Sequence, residues 1–218
     1  MAMERRVPAR DHGFTLPEVL VAIATIAVLM AALLTMLRAG QEGYFVGSGQ
    51  VEAQQSLRLA VDRMVRELRN AGYCPVCSAA CANRFPSITN QSATGFTIQN
   101  DWNGDYNCAT GTGITMTGTV VDPDGRARGE QVTYAVSGDT LTRFEVGVDA
   151  APVTLAAGIK SLTFSYLDGS GAATSVAASI RTVVLSATAA PAASPAADQA
   201  GNVQVAMTDS VRLRNLGP

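Results

Sequence analysis

From Val19 to Leu37 the chain carries no charged side chain, and only Thr25 and Thr35 are polar. A helix of that length reaches about 30 Å, the thickness of a bilayer's hydrocarbon core. Arg5, Arg6 and Arg10 precede the run, and Lys160 is the only lysine in the chain. A basic flank predicts that the N-terminus stays cytoplasmic and that everything after Arg38 is exported. A secretory signal peptide has the same basic-then-apolar order, but this run is longer than the usual apolar region. No A-x-A-like site closes it before Arg38. Composition alone leaves a plain membrane anchor open.

The order of residues at the head of the run says more. Gly13-Phe14-Thr15-Leu16-Pro17-Glu18-Val19-Leu20 sets one carboxylate, Glu18, in an otherwise apolar segment. A lone acid at membrane depth costs about 2.5–3.5 kcal/mol on insertion scales and calls for a functional reason. Pro17 falls in the first helical turn, where its missing N–H does no harm. The segment resembles the class III signal of type IV prepilins and type II secretion pseudopilins. In that family a short basic leader ends in Gly, Phe usually follows, and Glu is the fifth mature residue. The resemblance implies cleavage by a prepilin peptidase between Gly13 and Phe14, N-methylation of Phe14, and pairing of Glu18 with the terminal amine of a neighbouring subunit. Such a charge partner would offset the burial of Glu18 in a low-dielectric bundle.

Cleavage there would leave residues 1–13 as a cytoplasmic leader and remove His12, the only histidine. No histidine-based triad or His-ligated metal can then exist in the mature chain. No G-x-S-x-G is present, and no paired acids stand in a recognisable frame, so a membrane-anchored periplasmic enzyme has no support. The expectation is a non-enzyme with no cofactor and no catalytic residue.

A second helical segment follows. Leu57, Val61, Met64, Val65 and Leu68 recur at helical spacing, opposite Arg58, Asp62, Arg63, Arg66, Glu67 and Arg69. Asp62–Arg66 and Arg63–Glu67 stand four apart, and the charged face reads as solvated, with docking against neighbouring subunits as the alternative. Asn70-Ala71-Gly72 supplies a glycine stop. Gly40, Gly43, Gly47 and Gly49 lie between the two segments, and each costs a helix about 1 kcal/mol. They predict a bend or melted stretch in an otherwise continuous spine.

From about Phe96 the pattern changes to period two with turn residues between short runs. Residues 131–136 and 141–146 flank Ser137-Gly138-Asp139 and read as a hairpin. Residues 159–167 alternate, 180–187 and 203–213 are further strands, and the Ala, Pro and Ser of 187–201 read as a loop. The fold class is therefore α+β, a long N-terminal helical spine packed on an antiparallel sheet. Its divisions are a leader at 1–13, a transmembrane or filament-core helix at 14–38, the rest of the spine at 39–72, and a β-rich head at 73–218.

The helix end Glu67-Leu68-Arg69-Asn70-Ala71-Gly72-Tyr73 resembles that of PilW-type minor pilins, as does Gly129-Glu130-Gln131-Val132-Thr133-Tyr134 their middle strands. A GspJ-type pseudopilin of type II secretion has a similar plan. The resemblance implies a structural subunit of a type IV pilus that helps start or cap the fibre, and through it adhesion, twitching motility or DNA uptake. The implied partners are a prepilin peptidase, other major and minor pilins, and the inner-membrane assembly platform. The bilayer would hold the subunit before it moves to a surface pilus. With a net charge of −2 there is no electrostatic footprint for nucleic acid.

Cys74, Cys77, Cys81 and Cys108 all fall on the exported side. An even count in an oxidising compartment favours two disulfides, in any of three pairings. Cys108 is the distant member and would tie the post-helix loop to a later segment. A zinc or iron–sulfur site on Cys74-x2-Cys77-x3-Cys81 would need reduced thiolates, which export disfavours. Asp101-x-Asn103-x-Asp105 alternates oxygen ligands as calcium loops do, with Asn107 as an extension. However, Tyr106 stands where glycine is usual and no Glu closes the loop at Thr112. A polar turn is the preferred reading, and no metal is assigned.

Overall fold

The computed structural model describes residues 13–78, 80–114, 119–121, 124–189 and 205–215. The leader up to His12 and most of the loop at 187–201 lie outside them. The chain separates into two compact units, Met1–Phe45 and Val46–Pro218.

A single helix, α1 (Leu16–Asn70), runs through both. Gly40, Gly43, Gly47 and Gly49 all stay helical, so the predicted melting does not occur. The physical reason is that glycine keeps its N–H and C=O. It raises the cost of the helix without removing a hydrogen bond, whereas a proline would remove one, and none lies between Pro17 and Pro75. In the first unit every described position is exposed, large apolar side chains included, so nothing among the described residues covers this surface.

In the second unit the helical periodicity becomes a buried stripe: Ala53, Leu57, Ala60, Val61, Met64, Val65 and Leu68. The helix ends where Gly72 takes φ +77° and donates its N–H to Gln99 O at 2.9 Å. A Cβ there would fall 2.0 Å from Ser87 Oγ and 2.7 Å from Asn215 O, so only glycine fits this stop.

Ten strands follow. A five-stranded antiparallel sheet has the order β1 (Ile88–Ser92), β2 (Gly95–Gln99), β5 (Gln131–Ser137), β6 (Thr140–Glu145) and β7 (Val153–Ala156). A three-stranded sheet has the order β10 (Val205–Arg212), β9 (Thr182–Ala189) and β8 (Ile159–Leu167). A short ribbon pairs β3 (Val120–Val121) with β4 (Ala127–Arg128). The expected hairpin is β5–β6, closing Ser137 on Thr140 around Gly138 at φ +61°. Residues 187–189 complete β9 rather than opening a loop, because they pair with β8 and β10.

Alternation in β8 sends Leu162, Phe164 and Tyr166 inward and Ser161, Thr163 and Ser165 outward. An irregular register between Ile159 and Ser161 lets Ile159 turn inward as well. Helix and both sheets share one core. Phe96 of β2 meets Phe164 of β8 edge-on, with ring centroids 4.9 Å apart, which joins the sheets across it. The Tyr166 hydroxyl donates to Ser92 O (2.8 Å) and to Gly95 O (3.0 Å), and burial pushes its pKa up to about 12.

Candidate functional site

The N-terminal segment is built from the residues the sequence singled out. Gly13 and Phe14 precede α1 in open space: Phe14 is 88% exposed and nothing lies within 4 Å of a Cβ placed on Gly13. A peptide bond so placed is sterically open to an enzyme. Thr15 is the residue before the helix, and Val19 N donates to its carbonyl at 3.2 Å. Glu18 reaches back and accepts from Thr15 N and from Thr15 Oγ1, each at 3.0 Å. This is one half of a capping box, and Thr15-x-x-Glu18 is legible in the sequence as its signature. The acid thus has a local structural role beside the one implied by resemblance, and a carboxylate also favours a helix N-terminus. Behind it the helix is long and apolar enough to cross a membrane.

The four cysteines form Cys74–Cys77 and Cys81–Cys108. The first bridge closes a tight turn just after the helix stop, and the second pins that loop to the segment after Asp105. Sulfurs of Cys77, Cys81 and Cys108 lie within 4.8 Å of one another, but as disulfides they offer no thiolate to a metal.

The acidic loop gathers a different set from the one its spacing named. Carboxylates of Asp101, Asp105 and Glu130 come within 4.8 Å of one another, with Glu130 arriving from just before β5. Asn103 is used within the loop: its amide donates to Asp105 Oδ2 at 2.9 Å, and its carbonyl oxygen accepts from Asp105 N at 3.1 Å. Asn107 Oδ1 accepts from Ala109 N at 2.9 Å, closing a turn. Burial raises the Asp101 carboxyl above the usual carboxylate range, partly offset by the N–H of Gly104 at 2.7 Å. These are the bonds of polar turns.

One cluster was not legible in the sequence. Glu67, placed on the solvated face by its spacing, turns into the sheet and accepts from Tyr134 Oη at 2.7 Å and Arg143 Nε at 3.0 Å. Arg143 is buried and also meets Glu145 Oε2 (2.5 Å) and Asp149 Oδ2 (3.2 Å). Burial alone would lower the Arg143 pKa, but the hydrogen bond it donates to Glu145 and the charge of Glu67 leave it raised. The pair Arg63–Glu67 forms at 3.2 Å, whereas Asp62–Arg66 does not form. This network ties the helix to the sheet.

Residues 8–34 match the family model described as the prokaryotic N-terminal methylation motif. The N-terminal segment carries a prepilin-type N-methylation motif. A motif of this kind implies processing by a prepilin peptidase and assembly with other pilins, and with the apolar helix it fits a membrane-anchored pilin. No curated protein sequence matches the chain. Among solved structures a type IV-like pilin from Thermus thermophilus is similar at 16% identity, covering 75% of this chain and 97% of that one, with a TM-score of 0.42.

Proposed function

We propose that the chain is a structural subunit of a type IV pilus, a minor pilin of PilW type that takes part in starting or capping the fibre. On this reading a prepilin peptidase cuts between Gly13 and Phe14, Phe14 is N-methylated, and Glu18 serves assembly. Before assembly the protein sits once through the inner membrane with its N-terminus cytoplasmic and its head periplasmic. It acts by packing rather than by turnover, as a non-enzyme without a cofactor, and contributes to adhesion and twitching motility through the fibre. The observation that carries the proposal is the methylation motif joined to an apolar helix whose surface nothing among the described residues covers. Such a surface needs lipid or the helices of other subunits around it. The same motif would serve a GspJ-type pseudopilin, and the readout below separates the two.

The test begins with intact mass. The protein recovered from membranes is expected to begin at Phe14 with one added methyl group, and Gly13→Leu is expected to leave the leader attached. Any other N-terminus overturns the proposal. Glu18→Gln then separates the two roles of the acid. Glutamine keeps the hydrogen-bonding shape of a capping box but not the charge. Loss of the variant from sheared surface fibres, with cleavage intact, is the result expected of a charge partner. Incorporation at the wild-type level would leave Glu18 only a cap. Presence in sheared pili, rather than an effect on secretion alone, separates pilus from secretion filament.

A further inference from the structure

The chain has a net charge of −2, yet one groove of the head is strongly basic. Arg69 from the last turn of α1, Arg181 ahead of β9, Arg212 at the end of β10 and Arg214 just beyond it line a concavity of about 550 Å³ together with Ser210. No acid and no aromatic side chain lines it. Among the described residues Arg69, Arg212 and Arg214 form no ion pair. Arg181 spends its guanidinium on the carbonyls of Ala178 (2.8 Å) and Ile180 (3.2 Å). Three elements far apart in sequence thus deliver like charges to one place, where mutual repulsion is unfavourable until an anion enters. Without a ring to stack a base or sugar, the groove selects by charge.

A second observation says what form the anion takes. β10 ends its sheet, with β9 on one side and, among the described residues, no strand on the other. The backbone groups of that edge form a template for an incoming extended chain. Natural edges are often guarded by charge, and the exposed Asp209 and Arg212 fit that role. Edge protection does not explain why Arg69 and Arg181, from other elements, join Arg212 and Arg214 at one end.

We propose that the β10 edge and this arginine groove bind an extended, acidic segment of another polypeptide, which adds as a strand beside β10 and places its carboxylates among Arg69, Arg181, Arg212 and Arg214. Main-chain hydrogen bonds supply much of the affinity, and the guanidinium forks supply register and choice of partner. Within a fibre the donor would be another subunit, and that clause rests on the proposed function; the site itself does not.

The test uses the full chain purified in detergent with its disulfides intact. The probe is a fluorescent twelve-residue peptide of alternating valine and threonine ending in three glutamates, followed by anisotropy. Three results are expected. The peptide binds; a version ending in three lysines does not; and a version with alternate backbone amides methylated binds at least about tenfold more weakly. Arg212→Gln/Arg214→Gln, both exposed, is expected to bind the acidic peptide about tenfold more weakly with an unchanged melting temperature, since exposed pairs contribute modestly each. Arg58→Gln, on the helix outside the groove, is expected to bind as the wild type does. Equal binding by the double variant, or indifference to amide methylation, overturns the proposal. So does competition-sensitive binding of tripolyphosphate without any binding of the peptide, which would make the groove a phosphate site. None of these readouts depends on fibre formation, so failure here is distinct from failure of the pilin reading.

Discussion

The two halves of α1 show what one secondary structure does in two settings. Residues 16–45 and 46–70 are both helical, but in the first unit apolar side chains point in every direction and all are exposed. In the second unit apolar residues return every three or four positions, and that stripe is buried while arginines hold the other face. A helix apolar all round requires a surrounding that is apolar all round, such as lipid or other helices. An amphipathic one requires a core on one side and water on the other. The first half is therefore a surface awaiting a partner, and the second half is part of a folded domain. Their responses to the same substitution should differ.

The largest contrast is expected from leucine truncation. Leu68 is fully buried in the core shared with both sheets, so Leu68→Ala should cost about 3–5 kcal/mol of head stability, measured by denaturant unfolding of the full chain in detergent. Leu33→Ala, in the exposed half, should leave the same transition unmoved. Equal effects would erase the distinction between the halves.

Next comes the charged contact that makes the second half part of the head. Arg143→Ala would remove the cation that Glu67, Glu145 and Asp149 share, leaving Glu67 with Arg63. Breaking a buried pair costs about 3–5 kcal/mol, less here because the carboxylates are partly solvated. About 2–3 kcal/mol is expected from the same unfolding measurement. A loss under 1 kcal/mol would mean that the network is ornamental to packing.

That network also marks where sequence reading stops. The helical stripe, the helix stop at Gly72, the β5–β6 hairpin and β8 were legible, because each is encoded by local period or by a turn residue. The pairing of Glu67 with Arg143 spans 76 positions and has no local signature, so Glu67 read as one more solvated acid. For the same reason Glu130 was missed beside Asp101 and Asp105, since it arrives through the fold and not through loop spacing. β1 escaped notice because Ile88-Thr89-Asn90-Gln91-Ser92 is mostly polar, with Asn90 even at φ +51°. The capping partner of Glu18 was legible and was overshadowed by the chemistry of the motif around it.

The disulfides give a smaller and internally controlled contrast. Loop-closure entropy scales with the chain enclosed, so Cys81–Cys108, with a separation of 27, should stabilise the head by about 3.5 kcal/mol, and Cys74–Cys77, with a separation of 3, by about 1.6 kcal/mol. Cys81→Ser/Cys108→Ser should thus lower the unfolding midpoint more than Cys74→Ser/Cys77→Ser. The reverse order would show that the short bridge fixes the helix stop rather than the loop. Neither pair is expected to alter the helicity of residues 16–45.

The smallest effect probes the stretch where the halves adjoin. Gly40, Gly43, Gly47 and Gly49 are helical, and a Cβ on any of them meets nothing within 4 Å. Alanine therefore fits each without a clash and should gain about 0.5–1 kcal/mol per site by reducing the freedom of the unfolded segment. Amide hydrogen exchange across residues 40–49 in the full chain should slow accordingly, with the melting transition of the head unchanged. If exchange there is already as slow as in the buried stripe, the glycines cost the helix nothing measurable. If Gly43→Ala protects these amides yet reduces incorporation into fibres, then small size is required at a surface that the isolated chain leaves open. That outcome would turn the difference between the two halves from one of stability into one of assembly.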